Sequence, residues 1–149
     1  MPETISVSSQ IKLPANIQNL RQFINFASDN ARQQGFDQKR IKEIELTTEE
    51  AIANILNYAY RDVIGDIEIT CKTENNEKFI IEIVDSGIPF DPLSVEEPDI
   101  HGEISEREVG GLGVFLMRKL MDDVHYRRDE NKNILTLIVS KMHIDKEQR

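Results

Sequence analysis

The segment TTEEAIANILNYAY, Thr47 to Tyr60, carries two helical faces at once. At about 3.6 residues per turn, Glu50, Asn54 and Asn57 stack on one stripe. Ile44, Thr48, Ala51, Ile52, Ile55 and Ala59 fall on another side, as a core-facing apolar strip. One helix therefore combines a packing face with a carboxylate stacked on two carboxamides. A polar helix face is most often simply solvated, so the meaning of this stripe depends on what other segments bring beside it.

Upstream, this second helix begins near Asp37, after Gly35 closes a first helix through LRQFINFASDNARQQ. Asn16 is placed to cap that first helix, with Ile17, Leu20, Phe23, Ile24 and Ala27 as its buried side. Before it, TISVSSQIKL (4–13) alternates with Ile5, Val7, Ile11 and Leu13 in phase, a strand stopped by Pro14. Downstream, Arg61 to Gly65 turn into GDIEITCKTE, which sets Ile67, Ile69 and Cys71 on one face of a strand. The ENNE turn (Glu74–Glu77) leads to KFIIEIVD, with Phe79, Ile81 and Ile83 in phase. The next position in that phase is Asp85, so period two aims a carboxylate at the core side just before Gly87 and Pro89.

From Pro89 to Val109 the chain holds three prolines and many acids with no lasting periodicity, as functional or mobile loops do. GGLG (Gly110–Gly113) then opens the helical run VFLMRKLMDD, and strands come next around VHYRR and ILTLIVSKM, with Leu135, Leu137 and Val139 in phase. The order strand, two helices, hairpin, loop, helix, hairpin predicts an α+β fold. It is a two-layer α/β sandwich with three helices on one face of a mostly antiparallel sheet. With 149 residues and no repeat or linker, a single domain over 1–149 is expected.

The formal net charge of −9 disfavours direct nucleic-acid binding and attraction to anionic membranes. A lone cysteine, Cys71, the lack of a membrane-spanning apolar run and an amino terminus unlike a signal peptide point to a cytoplasmic protein. His101, His125 and His143 share no ligand spacing and read as surface histidines. Met117 and Met121, with Phe115 and Leu120, read as packing.

The polar pieces have a joint chemical reading. Asp85 either bonds neighbouring turn amides or presents its oxygens to a ligand's amino group, with Gly87 allowing close approach. Glycines before a helix leave N–H groups open to an anion, or serve as a hinge. Glu50 is suited to accept a proton from an attacking hydroxyl. Asn54 offers a neutral oxygen to a hard cation such as Mg²⁺ that bridges substrate phosphates. A base, a metal ligand, an amino-group acceptor and a phosphate cradle together make the parts of a magnesium-ATP site.

EAIAN (50–54) with the Ala59-Tyr60 pair, DSGIPFDP (85–92) and GGLGVFLMRKLMD (110–122) occur in the order of the N, G1 and G2 boxes. This combination resembles the GHKL ATPases, and most closely the bacterial anti-sigma-factor serine-kinase family, over nearly the whole chain. The resemblance implies Glu50 as general base and Asn54 as Mg²⁺ ligand. It implies Asp85 as acceptor from the adenine amino group, with Gly87 near the base. Asn57, Gly110, Gly111, Leu112, Gly113 and Val114 complete the implied ATP-binding set around a lid at about 90–110. The family's lid often supplies an arginine near the γ-phosphate; the nearest candidate is Arg107, which between Glu106 and Glu108 reads equally as a salt-bridged residue. Many relatives carry histidine where this chain has Tyr58. The implied partners are a small anti-sigma-antagonist protein, phosphorylated on serine, a sigma factor, and a second copy of the chain in a homodimer. An ATP-responsive binding module that transfers no phosphate is the alternative. A sensor histidine kinase domain fits less well, because no long helical hairpin bearing an acceptor histidine precedes it.

Overall fold

A computed structural model describes residues 4–61, 63–94, 113 and 115–141. Five strands form one antiparallel sheet: β1 (Ile5–Pro14), β2 (Asp66–Glu74), β3 (Lys78–Asp85), β4 (Asp123–Asp129) and β5 (Lys132–Ser140). Their spatial order is β1-β2-β3-β5-β4. Helices α1 (Leu20–Gln33), α2 (Gln38–Asn54) and α3 (residues 115–120) form the second layer. The architecture is the expected α+β sandwich.

Period-two alternation sets the sheet's inner face. Ile67, Ile69 and Cys71 of β2, Phe79, Ile81 and Ile83 of β3, and Leu135, Leu137 and Val139 of β5 are all buried there. Phe23 and Ala27 of α1, Ile44, Ala51 and Ile52 of α2, and Met117 with Met121 close the core from the helical side. Enclosed in this way, the Cys71 thiol is pushed up to about 12 by burial and acts as a small apolar side chain. Both tight turns use left-handed residues: Asn75 and Asn76 in the three-residue connection after β2, and Glu130 and Asn131 in the two-residue hairpin after β4.

Two local expectations need correction. Asn16 does accept from an amide, that of Gln18, but it caps a 3-10 turn (Ile17–Asn19) leading into α1. Ile17, outside the α-helical phase, is 68% exposed rather than buried. In β1 the register against β2 shifts between Val7 and Ser9. One extra residue reverses the facing of everything before it, so Ile5 and Val7 are 57% and 62% exposed. Ile11 and Leu13, beyond the shift, pack on the core as the alternation predicts.

Helix α2 is fixed at its start by Asp37, whose carboxylate accepts from the Arg40 amide at 2.8 Å, a standard N-cap. The Arg40 side chain is buried, and it ties α2 to the chain entering β4. Its guanidinium donates to the Leu120 carbonyl, to Asp122 at 2.7 Å and to Glu43 at 3.1 Å. Asp122 also accepts from the Ser140 amide at 2.7 Å, so three elements meet at one carboxylate. Among the described residues no helix is long and apolar enough to cross a membrane.

Removing one partner of a buried ion pair leaves the other charge uncompensated, at about 3 kcal/mol. Arg40→Met is therefore expected to lower the unfolding free energy by roughly that amount in urea titration. A loss well under about 1 kcal/mol would instead assign the cluster to the weak class of surface ion pairs.

Candidate functional site

The α-helical pattern of α2 ends at Asn54, and Ile55–Ala59 continue as a π-helical turn. Such a turn widens the helix and rotates the residues beyond it. The apolar strip survives: Thr48, Ala51, Ile52, Ile55 and Ala59 are all buried. The polar stripe does not stay uniform. Asn54 is buried, Glu50 is half-buried, and Asn57, within the π-helical turn, is exposed.

The turn delivers the chain onto the end of β3. The Ala59 carbonyl accepts from the Ile88 amide at 2.9 Å. A Cβ on Gly87 would lie 2.3 Å from that same carbonyl oxygen, so only glycine allows the approach. The Tyr60 hydroxyl donates to the Asp66 carbonyl and accepts from the Ser86 amide, both at 2.7 Å. Beside them the rings of Tyr58 and Phe90 stack at 4.9 Å.

Asp85, the polar residue in an apolar phase, is buried at the end of β3. Its Oδ1 accepts from the Gly87 amide at 2.9 Å and from the Asn133 side-chain amide at 2.8 Å. One oxygen thus serves the turn, as the first sequence reading of Asp85 has it, while Oδ2 has no hydrogen bond among the described residues. Burial raises its pKa, opposed by the Asn133 and Gly87 hydrogen bonds and by the charge of Arg128.

Asn133 sits opposite Asp85 in the β3–β5 register and is itself buried. Beyond its bond to Asp85, its Nδ2 donates to the Ile88 carbonyl at 2.8 Å. Its Oδ1 accepts from the Tyr126 hydroxyl, the Phe90 amide and Arg128 Nη1. Arg128 Nη1 also donates to the Gly87 carbonyl at 2.9 Å. Asn133 and Arg128 were not among the sequence candidates. The signal that found Asp85 would have found Asn133 too, because it precedes Leu135, Leu137 and Val139 in the same phase.

Asn54 and Asp85 line one cavity, together with Ala51, Ile55, Phe90, Pro92, Tyr126, Asn133 and Leu135. Its volume is about 10 Å³, room for roughly one water. Larger depressions, of about 210 and 280 Å³, lie elsewhere and contain none of Glu50, Asn54 or Asp85. Among the described residues Asn54 Nδ2 is buried without a hydrogen-bond partner, a costly state that a ligand can relieve. A half-turn of the carboxamide exchanges Nδ2 for Oδ1 and offers an oxygen at that place. No cluster of three or more acidic, histidine or cysteine side chains able to hold a metal occurs among the described residues. A hard cation here would need oxygens from its substrate, as Mg²⁺ commonly does.

Gly113 lies against Glu50. A Cβ placed on it would stand 2.3 Å from the Glu50 carboxyl carbon and from Oε2. Burial, and secondarily the neighbouring charge of Glu49, raises the Glu50 pKa above its ordinary 4.5. Of the remaining sequence candidates, Arg107, Gly110, Gly111, Leu112 and Val114 lie outside the described residues, as does most of the 90–110 loop.

Known proteins share this arrangement of segments. The profile of the histidine kinase-like ATPase domain family matches residues 13–139. Relatives include proteins named serine-protein kinase RsbW from Bacillus thuringiensis, Bacillus cereus and Bacillus anthracis. Each is 27% identical over 143 residues, spanning 93% of this chain and 86% of the relative. The chain belongs to the histidine kinase-like ATPase domain family and is homologous to these serine-protein kinases.

Proposed function

We propose that the chain is an ATP-dependent protein-serine kinase that also acts as an anti-sigma regulator. In this reading it phosphorylates a small antagonist protein on serine and, in an alternative complex, sequesters a sigma factor. The observation that carries the reading is the meeting of Asn54 and Asp85 on one cavity, with Glu50 one helical turn from Asn54 and in contact with Gly113. Homology to serine-protein kinases supports the reaction class. The chain would work as a single domain in the cytoplasm, as a homodimer, without direct contact to nucleic acid or membrane.

Each residue has a defined task. Asp85 Oδ2 accepts from the amino group of adenine, and Gly87 leaves room beside the base. Asn54 turns its carboxamide oxygen toward Mg²⁺, which when bound would offset phosphate charge. Glu50 accepts the proton of the serine hydroxyl and orients it in line with the γ-phosphate, so the rate comes from positioning and charge stabilisation. Gly110, Gly111 and Gly113, with Leu112 and Val114, are assigned to the phosphates. Arg107 is the lid's candidate cation for the γ-phosphate, and Asn57 lies at the outer end of the helical stripe.

A base cannot enter a cavity of about 10 Å³ unless its walls part. Pro92 and the side chain of Phe90, whose backbone amide stays held by Asn133, are the walls proposed to withdraw. That narrowness also favours the second reading, an ATP-responsive switch in which opening and closing govern partner binding and no phosphate is transferred. Incubation with labelled Mg-ATP and antagonist proteins separates the two, because only the kinase labels a serine.

Glu50→Ala is expected to retain ATP binding and lose transfer by at least about a hundredfold in single-turnover assays; unchanged transfer would reject the base assignment. Since only the carboxylate accepts a proton, transfer by the unmutated enzyme should rise with pH. The midpoint should lie above 4.5, the ordinary value from which Glu50 is displaced upward. Gly113→Ala is expected to push the Glu50 carboxylate aside, lowering transfer while leaving a folded protein. Wild-type rates in that variant would show that the Gly113–Glu50 contact does not position the base.

A further inference from the structure

The polar cluster behind Asp85 does more than satisfy buried groups. Asn133 spends both side-chain N–H bonds, one on Asp85 Oδ1 and one on the Ile88 carbonyl. Its oxygen receives Phe90, Tyr126 and Arg128. With every side-chain hydrogen-bonding atom engaged, it has nothing left to offer a ligand directly. It can act only by fixing its neighbours. Two of these are decisive: the carboxylate whose other oxygen is free among the described residues, and the Gly87–Phe90 segment bordering the same cavity. Arg128, from the neighbouring strand, reaches the same oxygen of Asn133 and the Gly87 carbonyl.

We propose that Asn133 is the positioning residue for nucleobase selection, with Arg128 as its second pin. By holding Asp85 Oδ1 from behind, Asn133 leaves Oδ2 as the one acceptor turned to the cavity, matched to a purine whose 6-position carries an amino donor. By holding Ile88 and Phe90 it fixes the loop on which that base rests. An acceptor-only carboxylate in a fixed orientation favours a 6-amino purine over a 6-oxo purine, which presents a second acceptor and leaves the carboxylate unpaired. This inference rests on the reading of Asp85 as the adenine acceptor.

The test compares ATP with purine riboside triphosphate, which lacks only the 6-amino group, by titration calorimetry with Mg²⁺ present. In the unmutated protein, ATP is expected to bind about tenfold or more tightly, the worth of a hydrogen bond to a charged acceptor. In Asn133→Ala that preference should fall to about twofold or less, since Asp85 is no longer aimed. In Arg128→Ala, a change at an exposed side chain that leaves the core intact, it should fall part of the way. A merely structural loss would weaken both nucleotides equally and keep their ratio. An unchanged ratio in both variants would therefore overturn the positioning role while leaving Asp85 as adenine acceptor. Should Asn133→Ala fail to fold, an unchanged ratio in Arg128→Ala alone overturns it. Absence of any preference in the unmutated protein would instead reject the Asp85 reading, and this inference with it.

Discussion

The seam between Ala59 and Gly87 holds the two halves of the cavity together. On one side is the widened end of α2, on the other the loop leaving β3. Their contact is a backbone hydrogen bond from Ile88 to Ala59, made possible by the missing side chain of Gly87. Tyr60 bridges the same junction from within, touching the start of β2 and the residue after Asp85. Without this seam, Asn54 and Asp85 would belong to separate elements with no reason to share a wall. With it, a helical carboxamide and a strand carboxylate come to one cavity although they stand 31 positions apart in sequence.

A second constraint acts from the other edge of the molecule. Arg40 binds α2 to the Leu120 carbonyl and to Asp122, so the helix carrying Glu50 and Asn54 is referenced to the segment that begins at Gly113. Three buried polar atoms without partners among the described residues lie on α2, at Arg40 Nε, Thr47 Oγ1 and Asn54 Nδ2. They are spaced seven residues apart, two helical turns, and so lie nearly above one another. These atoms lie on the buried side of α2, with the core residues Ile44 and Ala51, an arrangement that costs stability wherever no partner relieves it.

Much of this was legible in the sequence because it depends on period alone. Alternation found the inner faces of β2, β3 and β5, and the strip read from Ile44 to Ala59 is buried, although Ile41 and Thr47 of α2 are buried as well. The errors arose where one residue changes the count. The register shift before Ser9 sent Ile5 and Val7 outward, and the 3-10 turn put Ile17 in the wrong phase. The π-helical turn at Ile55–Ala59, invisible to an α-helical reading, leaves Asn57 exposed while Asn54 is buried. Asp85 stood out as a carboxylate on an apolar face. Asn133 carried the same anomaly on β5, but only the strand register shows that the two face each other. Arg40 and Arg128 gave no sequence signal, since their partners are tens of residues away and an arginine on a helix or edge strand is ordinary.

Segments remote in sequence should respond to one nucleotide as a unit. Amide hydrogen exchange with and without Mg-ATP tests this most directly. Exchange is expected to slow together in residues 47–60, 85–92 and 115–120, with the β1 edge of the sheet unchanged. Slowing confined to one of these segments, or found only on β1 and the uncovered face of the sheet, would contradict it.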